Sequence, residues 1–221
     1  MDVEKYARWN KLIITKVSAQ KRPGRYNVFI DGKYAFSAGE KTLAEFVLLK
    51  GKELNDEQVE KIRQFDADAK ASDLAAHFLS YEPRTIFEVL QYLKKHEISD
   101  EAANSAVSQL NELGYLDDRQ YAKLFIKNDL RVGSDGPKIL LRKLTQKGVD
   151  PEISQDKLDE IDEEDWLEVG QRVIKSMSHQ VGKISQRELE RKMRTKLLTH
   201  GFDSGISNVI IDAMDLKEDE N

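Results

Sequence analysis

The feature that most constrains this chain is a repeat. Leu93-Lys94-Lys95-His96-Glu97-Ile98, Leu144-Thr145-Gln146-Lys147-Gly148-Val149 and Leu197-Leu198-Thr199-His200-Gly201-Phe202 each place a leucine five positions before an apolar residue. A second amphipathic helix starts just after each of them. Those second helices align as Ala106, Val107 and Leu110, then Lys157, Leu158 and Ile161, then Val209, Ile210 and Ala213 or Met214, at offsets of 51 residues and then 52, or 53 to Met214. A further helical pattern precedes each pair, around 74–79, 121–126 and 166–174. Three tandem three-helix units follow, and stacked units of this kind build an elongated, curved body with a long concave surface. An ordinary helical bundle with accidental likeness is the alternative.

The first 38 residues have a different period. Leu12-Ile13-Ile14-Thr15-Lys16-Val17, Arg25-Tyr26-Asn27-Val28-Phe29-Ile30 and Lys33-Tyr34-Ala35-Phe36-Ser37 read as three strands. Asp31-Gly32 supplies a tight hairpin turn, because both residues tolerate positive φ. Such a meander is marginal alone and is expected to pack on the helix that follows it. From about residue 40 the reading is helical throughout. Leu43, Phe46, Val47 and Leu49 form an apolar stripe closed by Gly51. Asn55 with Gln58 opens a long helix towards residue 80, and Thr85 with Glu88, Asp117 with Gln120 and Ser185 with Glu188 mark further starts. Asp150-Pro151 places a capping carboxylate before a proline suited to a first helical turn. The expected organisation is therefore mainly α, with a small N-terminal antiparallel β meander. Its segments are a β-rich extension over 1–38, a helical connection over 39–66, repeats over 67–114, 115–163 and 164–215, and an acidic tail over 216–221.

Charge is abundant, at 34% of residues against an average near 25%, as expected for much exposed helical surface. The net charge of −5 conceals alternating blocks. Residues 1–35 carry +5, 118–147 carry +5, 150–169 carry −9 and 170–200 carry +6. Local patches set the field that a ligand feels, so a polyanionic partner is compatible with an acidic total.

Constellations for catalysis are scarce. Cysteine is absent, which excludes disulfides, thiolate zinc sites and a cysteine nucleophile. His77, His96, His179 and His200 share no metal-ligand spacing, and neither a phosphate-binding loop nor a serine elbow occurs. Ser18 to Lys21 and Ser154 to Lys157 both match S-x-x-K, in unrelated contexts. The acidic run 156–165 lacks the glycine turn of a calcium loop and reads as a solvated helix end. No cofactor is expected, and no enzyme. An apolar run of membrane-spanning length is also missing, which gives a cytoplasmic protein without a membrane partner as the expectation.

Basic clusters carry the functional reading. Arg187, Arg191 and Arg194 recur at i, i+4 and i+7 beside Lys192, so their guanidinium groups line one helical face. Lys138, Arg142 and Lys143 follow Gly136-Pro137. Arginine suits recognition of phosphate and carboxylate groups, while a solubilising face paired with Glu188 and Glu190 is the alternative. Arg22 and Arg25 in the first hairpin are further contact candidates.

The run Gly114-Tyr115-Leu116-Asp117-Asp118-Arg119-Gln120-Tyr121-Ala122-Lys123-Leu124-Phe125 resembles the central motif of the RecX regulatory protein family. The likeness continues through Gly136-Pro137, Leu140, Leu144 and Lys147-Gly148-Val149. Arg84-Thr85-Ile86-Phe87-Glu88-Val89 is similar to the family's first-repeat signature, and Arg194 to His200-Gly201-Phe202 to its third, although the family often has Arg where His200 stands. The likeness covers 70–214, and the strand-rich start resembles an extension seen in some members. The resemblance implies a non-enzymatic modulator of the RecA recombinase, which lodges in filaments on single-stranded DNA and suppresses ATP hydrolysis and strand exchange. A monomer is expected, with direct contact to single-stranded DNA open. Most motif residues have a structural explanation. Asp117 and Asp118 start a helix, Tyr121, Ala122 and Phe125 form its buried stripe, Gly136-Pro137 breaks the chain, and Leu144 and Gly148 close the next helix. A helical protein that binds DNA directly, without a recombinase partner, is the competing function class.

Overall fold

The computed structural model describes residues 11–214, so the expected acidic tail over 216–221 lies outside the described residues. Three strands come first: β1 (Leu12–Ala19), β2 (Arg25–Ile30) and β3 (Lys33–Gly39). Asp31 (φ 49°) and Gly32 (φ 81°) both adopt the left-handed region that the β2–β3 hairpin needs. The register sets whole rows across the sheet. Val17, Val28 and Phe36 form one row facing inward, and Lys16, Phe29 and Tyr34 form the next, facing outward.

Helix α1 (Glu40–Glu45) is short, and the expected stripe to Leu49 does not form. Val47 takes φ 46° just beyond the helix end, turning Leu48 into the core and leaving Val47 and Leu49 exposed. The chain then makes a fourth strand, β4 (Glu53–Leu54), antiparallel to β1, so that the sheet order is β3-β2-β1-β4. This corrects the reading of helix alone beyond residue 40. Two residues are too few to display a period of two, and tertiary pairing creates the strand.

Helix α2 (Asp56–Leu79) opens on a full capping box. Asn55 Oδ1 accepts from Gln58 N at 2.7 Å and Gln58 Oε1 accepts from Asn55 N at 2.9 Å. Val59 and Ile62 join Ile14, Val28, Ile30, Phe36, Ala38, Leu48 and Leu54 in the core beneath the sheet. The expected boundary at 66/67 falls inside this continuous helix. Asp66 there is buried, and it accepts from Gly39 N (2.7 Å), Thr42 Oγ1 (2.8 Å) and Arg25 Nη1 (2.9 Å), tying the helix to the sheet.

The rest is helical: α3 (Ile86–Lys95), α4 (Asp100–Glu112), α5 (Asp118–Val132), α6 (Pro137–Gln146), α7 (Pro151–Asp159), α8 (Glu163–Ile174) with a 3₁₀ extension over Lys175–Gln180, α9 (Gln186–Thr199) and α10 (Ser204–Asp212). The repeat is visible in its hydrogen bonds. Ile98 N, Val149 N and Phe202 N each donate to the leucine carbonyl five residues earlier, at 3.1–3.2 Å. Glu97, Gly148 and Gly201 precede them with φ of 58°, 82° and 87°. Ser99, Asp150 and Asp203 then cap α4, α7 and α10 through their side chains. These caps lie 51 and 53 residues apart, so Ile210, Ile211 and Met214 are the counterparts of Lys157, Leu158 and Ile161. The sequence alignment of α10 through Val209 and Ala213 is therefore one residue out, and Val209 is exposed.

Two compact units emerge among the described residues: 11–82 with Val89–Tyr115, and Pro83–Glu88 with 116–214. In the second, Leu140, Leu144, Trp166, Met193, Leu197 and Phe202 are among the residues of one continuous core.

Candidate functional site

Helix α9 buries Leu189, Met193 and Leu197 at i, i+4 and i+8, and this leaves its opposite side to charge. Arg187 and Arg191 are exposed, one turn apart, with no ion-pair partner among the described residues. Arg194 behaves differently. Its Nε and Nη2 both donate to Asn208 Oδ1 on α10, at 3.2 and 3.0 Å, which draws it away from the other two. Lys192 pairs with Glu188 at 3.1 Å. The line of three arginines is thus a free pair and an anchored third.

Helix α6 repeats the arrangement. Leu140 and Leu144 are buried, while Lys138 and Arg142 stand exposed four residues apart, again without an ion-pair partner among the described residues. Lys143 turns back to form an ion pair with Asp135. Asp135 N donates to Asp129 Oδ1 at 3.3 Å, and partial burial, reinforced by the Asp135 charge, raises the Asp129 carboxyl above its ordinary value. Lys143 therefore closes the α5–α6 loop. In the first hairpin Arg22 is exposed, whereas Arg25 is engaged on both terminal nitrogens, by Asp66 and by Ser37.

Around the start of α5 the motif residues bond to one another. Asp117 Oδ1 accepts from Gln120 N at 3.0 Å, and Asp118 Oδ1 accepts from Ile86 N at 3.0 Å. Partial burial is the main cause of a raised Asp118 carboxyl, with the Asp117 and Glu88 charges adding to it. Ala122 and Ile126 form the fully buried stripe of α5; Tyr121 and Phe125 flank it half-buried, their rings stacked at 6.2 Å. Lys147 Nζ lies 5.8 Å from the Tyr121 ring centre and 2.9 Å from Glu88, which raises its pKa. Gly136 sits where a Cβ would lie 2.7 Å from Phe202 N, and one on Gly148 would lie 2.1 Å from Phe87 Cβ. Close approach of the Phe202 backbone to Gly136 and of the Phe87 side chain to Gly148 accounts for both glycines.

Sequence reading passed over Lys123, Lys127 and Arg131, which run along α5 at i, i+4 and i+8 and line a shallow groove whose other wall carries Glu160, Asp165 and Glu168. Their spacing was the available signal. Among the described residues no cluster of His, Asp and Glu is arranged to hold a metal, and no helix is long and apolar enough to cross a membrane.

Comparison with known proteins adds the family context. Residues 12–55 match the family model of the regulatory protein RecX N-terminal domain, and residues 71–110 match that of the first three-helix domain of RecX. The chain is 53% identical over 209 residues to the regulatory protein RecX of Lactobacillus gasseri, covering 95% of this chain and 77% of that one. It is 35% identical over 207 residues to the regulatory protein RecX of Lacticaseibacillus casei, covering 93% and 78%. A crystal structure of a regulatory protein RecX superposes with a TM-score of 0.72 at 32% identity, over 91% of this chain and 99% of that one. RecX from Lactobacillus salivarius gives 0.65 at 28% identity, over 69% and 99%.

Proposed function

This chain belongs to the RecX family of regulatory proteins, and from that premise we propose that it binds RecA filaments on single-stranded DNA and restrains their ATP hydrolysis and strand exchange. The action is one of binding, by a monomer in the cytoplasm, with no catalytic step and no cofactor. The observation that carries this reading is the pair of unneutralised cations on each of two successive middle helices, Lys138 with Arg142 and Arg187 with Arg191. Free cations on corresponding helices of consecutive repeats, with Lys138 and Arg191 at the same repeat position, suit a partner that presents negative charge at intervals, as a nucleoprotein filament does. Arg194 and Lys143, each held by a neighbour, contribute to the fold around those faces, and Arg25 contributes to the fold of the N-terminal sheet through Asp66.

The test is RecA ATP turnover on single-stranded DNA. A variant with Lys138, Arg142, Arg187 and Arg191 all changed to Glu should lose suppression while its melting temperature stays near wild type, because exposed charges contribute about 0–1 kcal/mol each. Suppression by the folded variant at the wild-type concentration would sink the assignment.

A further inference from the structure

We propose that the outer face of the N-terminal sheet is a stacking platform for the bases of single-stranded nucleic acid, held by this chain directly rather than through a protein partner. Lys16, Phe29 and Tyr34 lie opposite one another on β1, β2 and β3 and form one transverse row. The Lys16 ammonium sits 5.5 Å from the centre of the Phe29 ring, and the Tyr34 ring meets Phe29 edge-on at 6.0 Å and 79°. Tyr34 remains 59% exposed. The adjoining row, Val17–Val28–Phe36, points into the core, with Val28 fully buried, so the aromatic pair is outside the hydrophobic core. The following outward row is Ser18–Asn27–Ser37, short polar side chains, with Gln20 Nε2 donating to Asn27 Oδ1 at 2.7 Å.

A solvated sheet face carries polar residues in its outward rows, and the second row does so. The first places two aromatic rings and a cation there. Rings of this kind accept any base, because every base offers a π face, and a neighbouring lysine answers the phosphate that accompanies it. Serine and asparagine beside the rings supply donors and acceptors for base edges. A duplex hides its base faces, so an unpaired strand is the form that fits.

The field has the matching sign. Residues 11–37 hold six Lys or Arg and one carboxylate, Asp31. Lys11 pairs with Glu53 and Arg25 with Asp66. Lys16, Lys21, Arg22 and Lys33 have no carboxylate partner among the described residues. Arg22, a sequence candidate, belongs to this group. The platform goes beyond the filament reading and needs no recombinase, so either can fail alone.

The experiment is fluorescence anisotropy of a labelled oligothymidylate titrated with the full-length protein at low salt, beside RecA ATP turnover as a separate readout. Tyr34→Ala should weaken oligonucleotide binding about tenfold, the usual loss of one stacked base, and Tyr34→Phe should restore it. Lys16→Ala with Lys33→Ala should lower the salt dependence. Wild-type affinity in a folded Tyr34→Ala variant overturns the platform, as does absence of binding by the wild type. Displacement of the oligonucleotide by polyglutamate at equal charge concentration also overturns it, since the face would then be a site for acidic protein surfaces. Turnover that is still suppressed by Tyr34→Ala leaves the filament reading intact.

Discussion

The Thr85 hydroxyl donates to the Lys147 carbonyl at 2.6 Å, across 62 residues of chain. One repeat further on, Gly136 N donates to the His200 carbonyl at 2.6 Å. In both places the residue before a middle helix satisfies the last turn of the next middle helix, whose carbonyls have no partner within it. The repeat therefore extends to the contact between the start of one middle helix and the end of the next, both times within the second compact unit. It also explains the glycines on either side. Gly148 lets the Phe87 side chain approach, and Gly201, where a Cβ would lie 2.8 Å from Ile139 N, does the same for α6.

Gly148→Ala should cost about 2–4 kcal/mol, the sum of a left-handed β-carbon and an overpacked contact. Glu97 occupies the same left-handed position without being glycine, so Glu97→Gly should stabilise by roughly 0.5–1 kcal/mol, the left-handed penalty less the entropy of glycine. Urea melts of both variants check the opposite signs.

Ser154 and Ser207 are fully buried, and neither hydroxyl has a hydrogen-bond partner among the described residues. Each lies four residues after its cap, where the first repeat has buried Ala103. Ser154→Ala and Ser207→Ala should leave stability unchanged or raise it by about 1 kcal/mol, because a desolvated hydroxyl is removed from a space alanine fills. A loss beyond about 1 kcal/mol in thermal melts would show that the hydroxyls are satisfied in solution.

Asp66→Ala should cost about 3–5 kcal/mol, because it leaves the Arg25 guanidinium without its counter-charge and Gly39 N and Thr42 Oγ1 without an acceptor. Hydrogen exchange should show the loss concentrated in β2, β3 and the middle of α2. Protection that falls equally everywhere would contradict this.

Asp118 has a raised carboxyl, so the folded protein holds that proton more tightly than the unfolded chain does. Stability then declines as pH rises from the ordinary carboxyl range through the raised value, and the full penalty stands at neutral pH. Asp118→Asn keeps an oxygen for Ile86 N and removes the charge. For a half-exposed group screened by solvent, melting at pH 7 should rise by about 1–2 °C, and the gain should vanish below the ordinary carboxyl range. An equal gain at both pH values would assign the effect to packing.

Local chemistry was legible in the sequence wherever one segment determines it. The caps at Asn55, Asp117, Asp150 and Ser185, the Asp31-Gly32 turn and the 51-residue offset follow from side chains acting on their own backbone or from a period that survives in one dimension. Their positions hold in the structure. The charge blocks were legible too, because they are sums over neighbours.

Pairing across distance was settled by the tertiary structure. β4 exists because Leu12 and Ile13 are there to receive Leu54 and Glu53. Of three arginines at perfect helical spacing, Arg194 is anchored because Asn208, on another helix, lies within reach. Arg25 belongs to the fold because Asp66 meets it across 41 residues. The row of Lys16, Phe29 and Tyr34 exists only once the register is set, since a shift of one residue would move each of them to the other face. Spacing tells which residues share an element's face. What that face meets depends on the three-dimensional packing of the other elements, and the sequence of one segment does not contain it.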